Sequence, residues 1–187
     1  MTNYDEYFSY LRRRKRSGLW YRDLWLYPRI CRHLSGTVLD VGCGIGDFVR
    51  HRPHTIGTDV NDKAVAFCRS HGLPVHPMQP DKLPFGDCTF DGLVLDNVLE
   101  HIARPEPLLA EIHRVLNVTG HFVVGVPGAR GFASDPDHKR HYPEPTLIET
   151  VQQAGFKWLR TFHQPFYSKI LDQHFRYYGL YGVFRRT

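Results

Sequence analysis

The stretch Asp40-Val41-Gly42-Cys43-Gly44-Ile45-Gly46-Asp47 is the first place where this chain could do chemistry. Its alternating glycines let the backbone turn sharply and approach a ligand with no Cβ in the way, and the helix start expected after them turns free N–H groups toward that ligand. The same residues exclude other ligands. A P-loop would need a lysine after the second glycine. A dinucleotide fingerprint would need glycine at 47, where Asp47 stands instead and would repel a pyrophosphate. Asp40 adds a second negative charge, and such surroundings suit a ligand with a cationic part, such as an amino-acid ammonium and a sulfonium. Gly57-Thr58-Asp59-Val60 ends the second strand candidate. Asp59, 19 positions after Asp40, is placed to accept hydrogen bonds from two ribose hydroxyls, and no arginine follows it to receive a 2′-phosphate.

The elements that must hold these residues alternate along the chain. Val38 to Val41, Thr55 to Val60, Pro74 to Met78, Phe90 to Leu95 and His121 to Val126 read as strands, the fourth nearly continuous in apolar residues, as a strand covered on both faces should be. Asn61 or Asp62 can cap the helix after the second strand. Leu108, Leu109, Ile112, Val115 and Leu116 describe one helix face, with Pro105 and Pro107 near its start. Leu147, Ile148, Val151 and Ala154 describe another, stopped by Gly155. The tail reads as a closing antiparallel pair around 156–166 and 175–185. Strands alternating with helices in this way imply a doubly wound α/β sheet, whose ligands bind beyond the carboxyl ends of its strands. Before it, residues 1–35 are rich in aromatics and read as two or three short helices, with Gly18 separating the first from the next and Pro28 opening another.

Composition narrows the class. The 187 residues suffice for one compact domain and not two, and 42% hydrophobic residues exclude a disordered chain. No apolar run approaches the roughly 18 residues of a membrane span, and the N-terminus lacks the apolar segment of a signal peptide, so a cytoplasmic location is expected. Four cysteines without CxxC pairing suit a reducing compartment. No metal site is expected, because the 12 histidines are scattered, with few such as His138 and His141 falling close together. The net charge of +5 is uneven: Arg12, Arg13, Arg14, Lys15 and Arg16 form one block. It reads either as contact with nucleic acid, anionic lipid or a phosphorylated substrate, or as a solvated helix face.

In order, VLDVGCGIGDF, GTDVN, the Asp-Lys-Leu-Pro-Phe stretch at 81–85, FDGLVLDNVLEHI and RVLNVTGHFVVGVP resemble the successive motifs of class I S-adenosylmethionine-dependent methyltransferases, over about residues 36–160. The similarity is to the type 11-like group and its quinone-biosynthesis branch. The resemblance implies a mostly parallel, seven-stranded Rossmann-like sheet with an antiparallel C-terminal hairpin, spanning 36–187 behind an N-terminal helical lid, and S-adenosylmethionine as cofactor. Asp40, Gly42, Cys43 and Gly44 would surround its methionine part. Asp59 would hold the ribose and Val60 would pack on the adenine. The family's adenine-contacting acid falls at Gln79, and Pro80 lacks the usual N–H donor, which leaves Asp81 as the alternative contact.

Asp96 and Asn97 fall where the family lines the cleft between cofactor and acceptor. DNVL there departs from the NPPY-like signature of adenine or glutamine N-methyltransferases, so O- or C-methylation is favoured. Base candidates are Asp96, His101, His138 and His141; His101 reads equally as a packed structural histidine. Lys139 and Arg140 are expected to bind an anionic group. The acceptor expected is a small molecule, anionic or lipid-linked, with peripheral membrane contact compatible with the aromatic N-terminus. An RNA methyltransferase and a non-catalytic cofactor-binding partner are the alternatives. Oligomeric state is left open.

Overall fold

The computed structural model of the protein describes residues 8, 9, 11 and 16–187. Tyr4, Tyr7 and Tyr10, and the basic block from Arg12 to Lys15, lie outside the described residues. Strand β1 (Val38–Val41) is buried along its whole length. It pairs in parallel with β2 (Thr55–Asp59) on one side and β4 (Phe90–Asp96) on the other. Beyond these lie β3 (Val75–Pro77) and β5 (Leu116–Pro127), also parallel. β7 (Gly179–Arg186) and β6 (Phe156–Gln164) close the sheet antiparallel, giving the order β3-β2-β1-β4-β5-β7-β6. The strand order reverses between β1 and β4, so the carboxyl ends of these two strands open a crevice. Asp40 and the glycine loop leave one end, and Asp96 and Asn97 leave the other.

The two-residue period of the strands sorts their side chains onto two faces. Leu39, Val41, Leu93, Leu95, Phe122 and Val124 face a core made with Leu108, Leu109, Ile112 and Val115 of α5 (Glu106–Val115) and Leu147 and Val151 of α7 (Glu144–Gln153). Val38, Val94, Val123 and Val183 face the other way, against Phe48 of α3 (Asp47–His51) and Leu26, Tyr27 and Ile30. Complete burial of Ile30 contributes about 1.5–3 kcal/mol. Part of the segment expected as a lid is therefore core, which moves the packed domain upstream of residue 36.

That segment also differs in form. It is helical without a break, from α1 (Arg16–Tyr21) through a π-helical turn (Arg22–Leu26) into α2 (Tyr27–Cys31). Gly18 does not separate helices; it lies inside α1, where a glycine costs only about 1 kcal/mol. Pro28 sits in the first turn of α2, as expected. The expected hairpin forms, but α8 (Lys169–His174) intervenes and the last strand begins at Gly179.

Asn61 is the cap of α4 (Asp62–Ser70): its side chain accepts from the N–H groups of Lys63 and Ala64 at 3.0 and 3.4 Å. Asn61→Ala should lower stability by about 1 kcal/mol, or roughly 2–4 °C in Tm, because two helix donors lose their acceptor. Calorimetry on both proteins measures it, and an unchanged Tm would show that water replaces the cap.

Candidate active site

The glycine loop is shaped by backbone conformations that side chains resist. Gly42, Gly44 and Gly46 have φ of +72°, +55° and +77°. A Cβ on Gly42 would stand 2.5 Å from Val98 Cγ2, and one on Gly44 would stand 2.9 Å from Leu11 Cδ1. The loop is pinned by β2: the N–H groups of Gly42 and Cys43 donate to the Thr58 carbonyl at 2.8 and 2.9 Å. Asp59 does the same with its side chain, Oδ2 accepting from the Gly44 N–H at 2.7 Å and Oδ1 from the Asn61 N–H at 2.8 Å. Asp59 is thus a strut of the loop as well as a ribose candidate; each carboxylate oxygen retains a second lone pair.

Asp40, Gly42, Cys43, Gly44, Asp96 and Asn97 line one narrow cleft of about 40 Å³, room for no more than a few waters. Leu11, Arg22 and Tyr27 of the N-terminal segment close it. Burial, with the carboxylates of Asp96 and Asp59 nearby, pushes the Asp40 carboxyl well above the usual carboxylate range. A cation among these carboxylates would relieve that repulsion, so the donor set fits a sulfonium and an ammonium. Cys43 is pushed up as well, by its contact with the Cys68 thiol and by burial.

Asp96 ends β4 with both oxygens engaged. Oδ2 accepts from Arg22 Nη1 at 3.4 Å, and Oδ1 accepts from the Tyr181 hydroxyl at 2.8 Å and Asn97 Nδ2 at 2.9 Å. Asn97 itself is left-handed, at φ +55°, a conformation Asn tolerates better than most residues.

Arg22 and Asn97 are shared with a second cavity, of about 800 Å³, walled by Tyr21, Glu100, His101, His138, Gln164 and Tyr181 among others. Among the described residues, two buried polar groups of that wall have no hydrogen-bonding partner: Gln164 Nε2 and the Glu100 carboxyl. Burial raises Glu100 to about 8. Burial, with His138 next in effect, lowers His101.

The family model described as "Methyltransferase domain" matches residues 39–124. Among curated relatives, an uncharacterised protein of Methanocaldococcus jannaschii is 30% identical over 67% of each chain. A probable S-adenosylmethionine-dependent methyltransferase of Mycolicibacterium smegmatis is 28% identical over 71% of this chain and 56% of its own. A probable tRNA methyltransferase 9B of Mus musculus is 26% identical over 74% of this chain, which spans only 32% of that relative. A solved S-adenosylmethionine-dependent methyltransferase of Thermotoga maritima, described as a possible histamine N-methyltransferase, shares the fold over the whole of both chains, with TM-score 0.78 at 18% identity. The chain belongs to the class I S-adenosylmethionine-dependent methyltransferases.

In this methyltransferase, the sequence-predicted residues divide into groups. Asp40, Gly42, Cys43, Gly44, Asp96 and Asn97 meet in the narrow cleft, with Asp59 behind the loop and Val60 half-buried at the strand end. Gln79 and Asp81 are exposed in a turn beyond β3 and line neither cavity. His101 and His138 line the larger cavity. His141 is exposed outside it, its ring on Phe132 at 5.0 Å. Lys139 and Arg140 do not line the cavity either. Their backbone N–H groups donate to the Glu100 carbonyl, and the Arg140 guanidinium lies over the Tyr142 ring. The cavity's arginines are Arg22 and Arg176. Arg22, Tyr181 and Gln164 had no sequence signal, because each matters through a partner far along the chain, and Glu100 stood in the FDGLVLDNVLEHI motif with no role of its own.

Proposed function

We propose that this methyltransferase transfers a methyl group to the oxygen or carbon of a small, anionic acceptor held in the 800 Å³ cavity. The observation that carries this reading is the meeting of that cavity with the cofactor cleft at Arg22 and Asn97. Its size is that of a small-molecule site. Aromatic walls (Tyr21, Phe175, Tyr177, Tyr178, Tyr181) suit a ring or an apolar chain, and Arg22 and Arg176 suit an anionic group. Trp20, Phe166, Ile170 and Tyr177 are more than half exposed, which favours a lipid-linked acceptor and peripheral contact with a membrane surface. Among the described residues no helix is long and apolar enough to cross one.

The bound cofactor supplies an electrophilic methyl on a good leaving group. Asp40 and the glycine loop orient its amino-acid part, Asp59 and Val60 its nucleoside part, and the N-terminal segment excludes water as a lid. Positioning of this kind supplies roughly 7–11 kcal/mol of the barrier. His101 and His138 are the bases the cavity offers to an acceptor hydroxyl, a contribution of about 100- to 10,000-fold.

Methyl transfer from labelled cofactor to a panel of hydroxylated aromatic acids, lipid-linked phenols and unfractionated tRNA tests the reading. Arg176→Ala should raise KM for the anionic acceptor about tenfold, equivalent to 1.4 kcal/mol, and leave a neutral homologue unaffected. Transfer to tRNA alone would instead support the second reading, an RNA methyltransferase. The Arg12–Arg16 block and the similarity to a probable tRNA methyltransferase favour that alternative.

A further inference from the structure

Glu100, His101 and His138 come together in the wall of the acceptor cavity, with one ligand atom of each within 4.8 Å of the others. Glu100 and His101 sit in the 3₁₀ turn Leu99–His101 after β4, whereas His138 arrives from the loop after α6 (Ala129–Phe132). The two segments are fastened to each other, because the N–H groups of Lys139 and Arg140 both donate to the Glu100 carbonyl, at 2.8 and 3.1 Å. The rings of His101 and His138 meet edge to face, centroids 4.6 Å apart.

The orientation of His138 decides what the cluster can hold. Its Nδ1 lies 2.9 Å from the Phe132 carbonyl oxygen. A carbonyl only accepts, so Nδ1 carries the proton, and in the neutral ring Nε2 presents a lone pair. That lone pair faces Glu100 Oε1 at 3.8 Å and Asp135 Oδ2 at 3.9 Å. A shared proton would draw nitrogen and oxygen to about 2.8 Å, which is not the geometry seen. Two ligand atoms bound to one zinc-sized ion at about 2.1 Å each can stand up to roughly 4.2 Å apart, so 3.8 Å already falls within reach. Glu100 is 1% exposed with neither carboxyl oxygen hydrogen-bonded, a buried carboxyl whose ionised form needs a cation beside it. The His101 ring is in turn held by the Asp137 backbone. Both imidazoles therefore have the backbone partner that orients metal-binding histidines.

We propose that Glu100, His101 and His138 form a binding site for a divalent transition ion of the zinc class, with Asp135 positioned to join them. Two imidazoles and one carboxylate are a donor set for such ions rather than for magnesium or calcium. The ion's remaining positions face the cavity. On the reading that this cavity holds the acceptor, they would take an oxygen of that molecule, and the ion would replace a histidine base in lowering the pKa of a hydroxyl there, which narrows the acceptor class to compounds presenting a hydroxyl or carboxylate as a ligand.

The test needs no turnover. The full chain, dialysed against chelator, is titrated with Co²⁺ and then with Zn²⁺, and S-adenosylhomocysteine binding is followed in parallel by thermal shift. One Co²⁺ per chain is expected, with visible bands displaced by Zn²⁺. Glu100→Gln, His101→Asn and His138→Asn should each weaken uptake about 100-fold while retaining the S-adenosylhomocysteine shift. Cu²⁺ electron paramagnetic resonance on the wild type, expected to show splitting from two imidazole nitrogens, keeps the test independent of whether the variants fold. No uptake at about 1 mM ion, uptake equal in wild type and variants, or a spectrum without nitrogen splitting would each overturn the site. Loss of the S-adenosylhomocysteine shift in the wild type would overturn the cofactor reading and leave the metal result to stand by itself.

Discussion

Asp59→Ala should abolish the thermal shift that S-adenosylhomocysteine gives the wild type and weaken the unliganded protein as well. A ligand at about one hundred times its Kd stabilises by about 2.7 kcal/mol, roughly 5–10 °C for a chain of this size. The carboxylate accepts the Gly44 and Asn61 N–H groups, and hydrogen bonds to a charged group contribute about 1.5–3 kcal/mol each. Its removal frees Gly44 from its conformation at φ +55°, in addition to deleting the proposed ribose contact. Affinity should fall at least about 100-fold, the equivalent of two missing hydrogen bonds. Isothermal titration on wild type, Asp59→Ala and Asp59→Asn separates the two roles, since asparagine can hold one N–H but carries no charge. A full shift retained in Asp59→Ala would mean that neither role is real.

Glu100→Gln should stabilise the metal-free chain at pH 8 and do nothing at pH 4. Burial raises the carboxyl to about 8 in the folded protein, against about 4.3 in an unfolded chain. Between these values the unfolded state has given up the proton and the folded state has kept it. Stability is therefore undiminished below about pH 4.3 and is lost progressively as the pH climbs toward 8. The loss is on the order of a few kcal/mol, and glutamine, having no proton to lose, escapes it. Urea unfolding in the presence of chelator at pH 4, 6 and 8 reads the difference directly. Parallel curves for the two proteins across that range would show that Glu100 ionises freely while buried. Bound metal reverses the comparison, because the ion favours the carboxylate that only the wild type can supply.

What could be read in the residues, and what could not, follows from how far apart the interacting groups lie. Strands β1 and β4 announce themselves because burial on both faces leaves largely apolar runs, and the glycine loop and Asp59 act within a few residues of a strand end. Arg22 meets Asp96 across 74 positions and Tyr181 meets it across 85; no local spacing encodes either contact. The polar loop from Asp135 to Tyr142 is dense in ionisable groups, yet composition does not say which face each side chain takes. His138 turned inward and His141, Lys139 and Arg140 did not. Gly18 misled for a physical reason as well. A glycine in an exposed helix carries a modest cost, and the helical run through Leu26, Tyr27 and Ile30 is held by burial that propensity does not register.

The helical run from Arg16 to Cys31 touches both chambers. Arg22 lines each of them, Leu11 lies over Gly44, and Tyr21 and Arg29 are moored to Gln164 and to the carbonyls of His163 and Pro165. A partition held in common cannot be lifted from one room while the other stays shut. A displacement of this run would therefore open the narrow cleft and the larger cavity together.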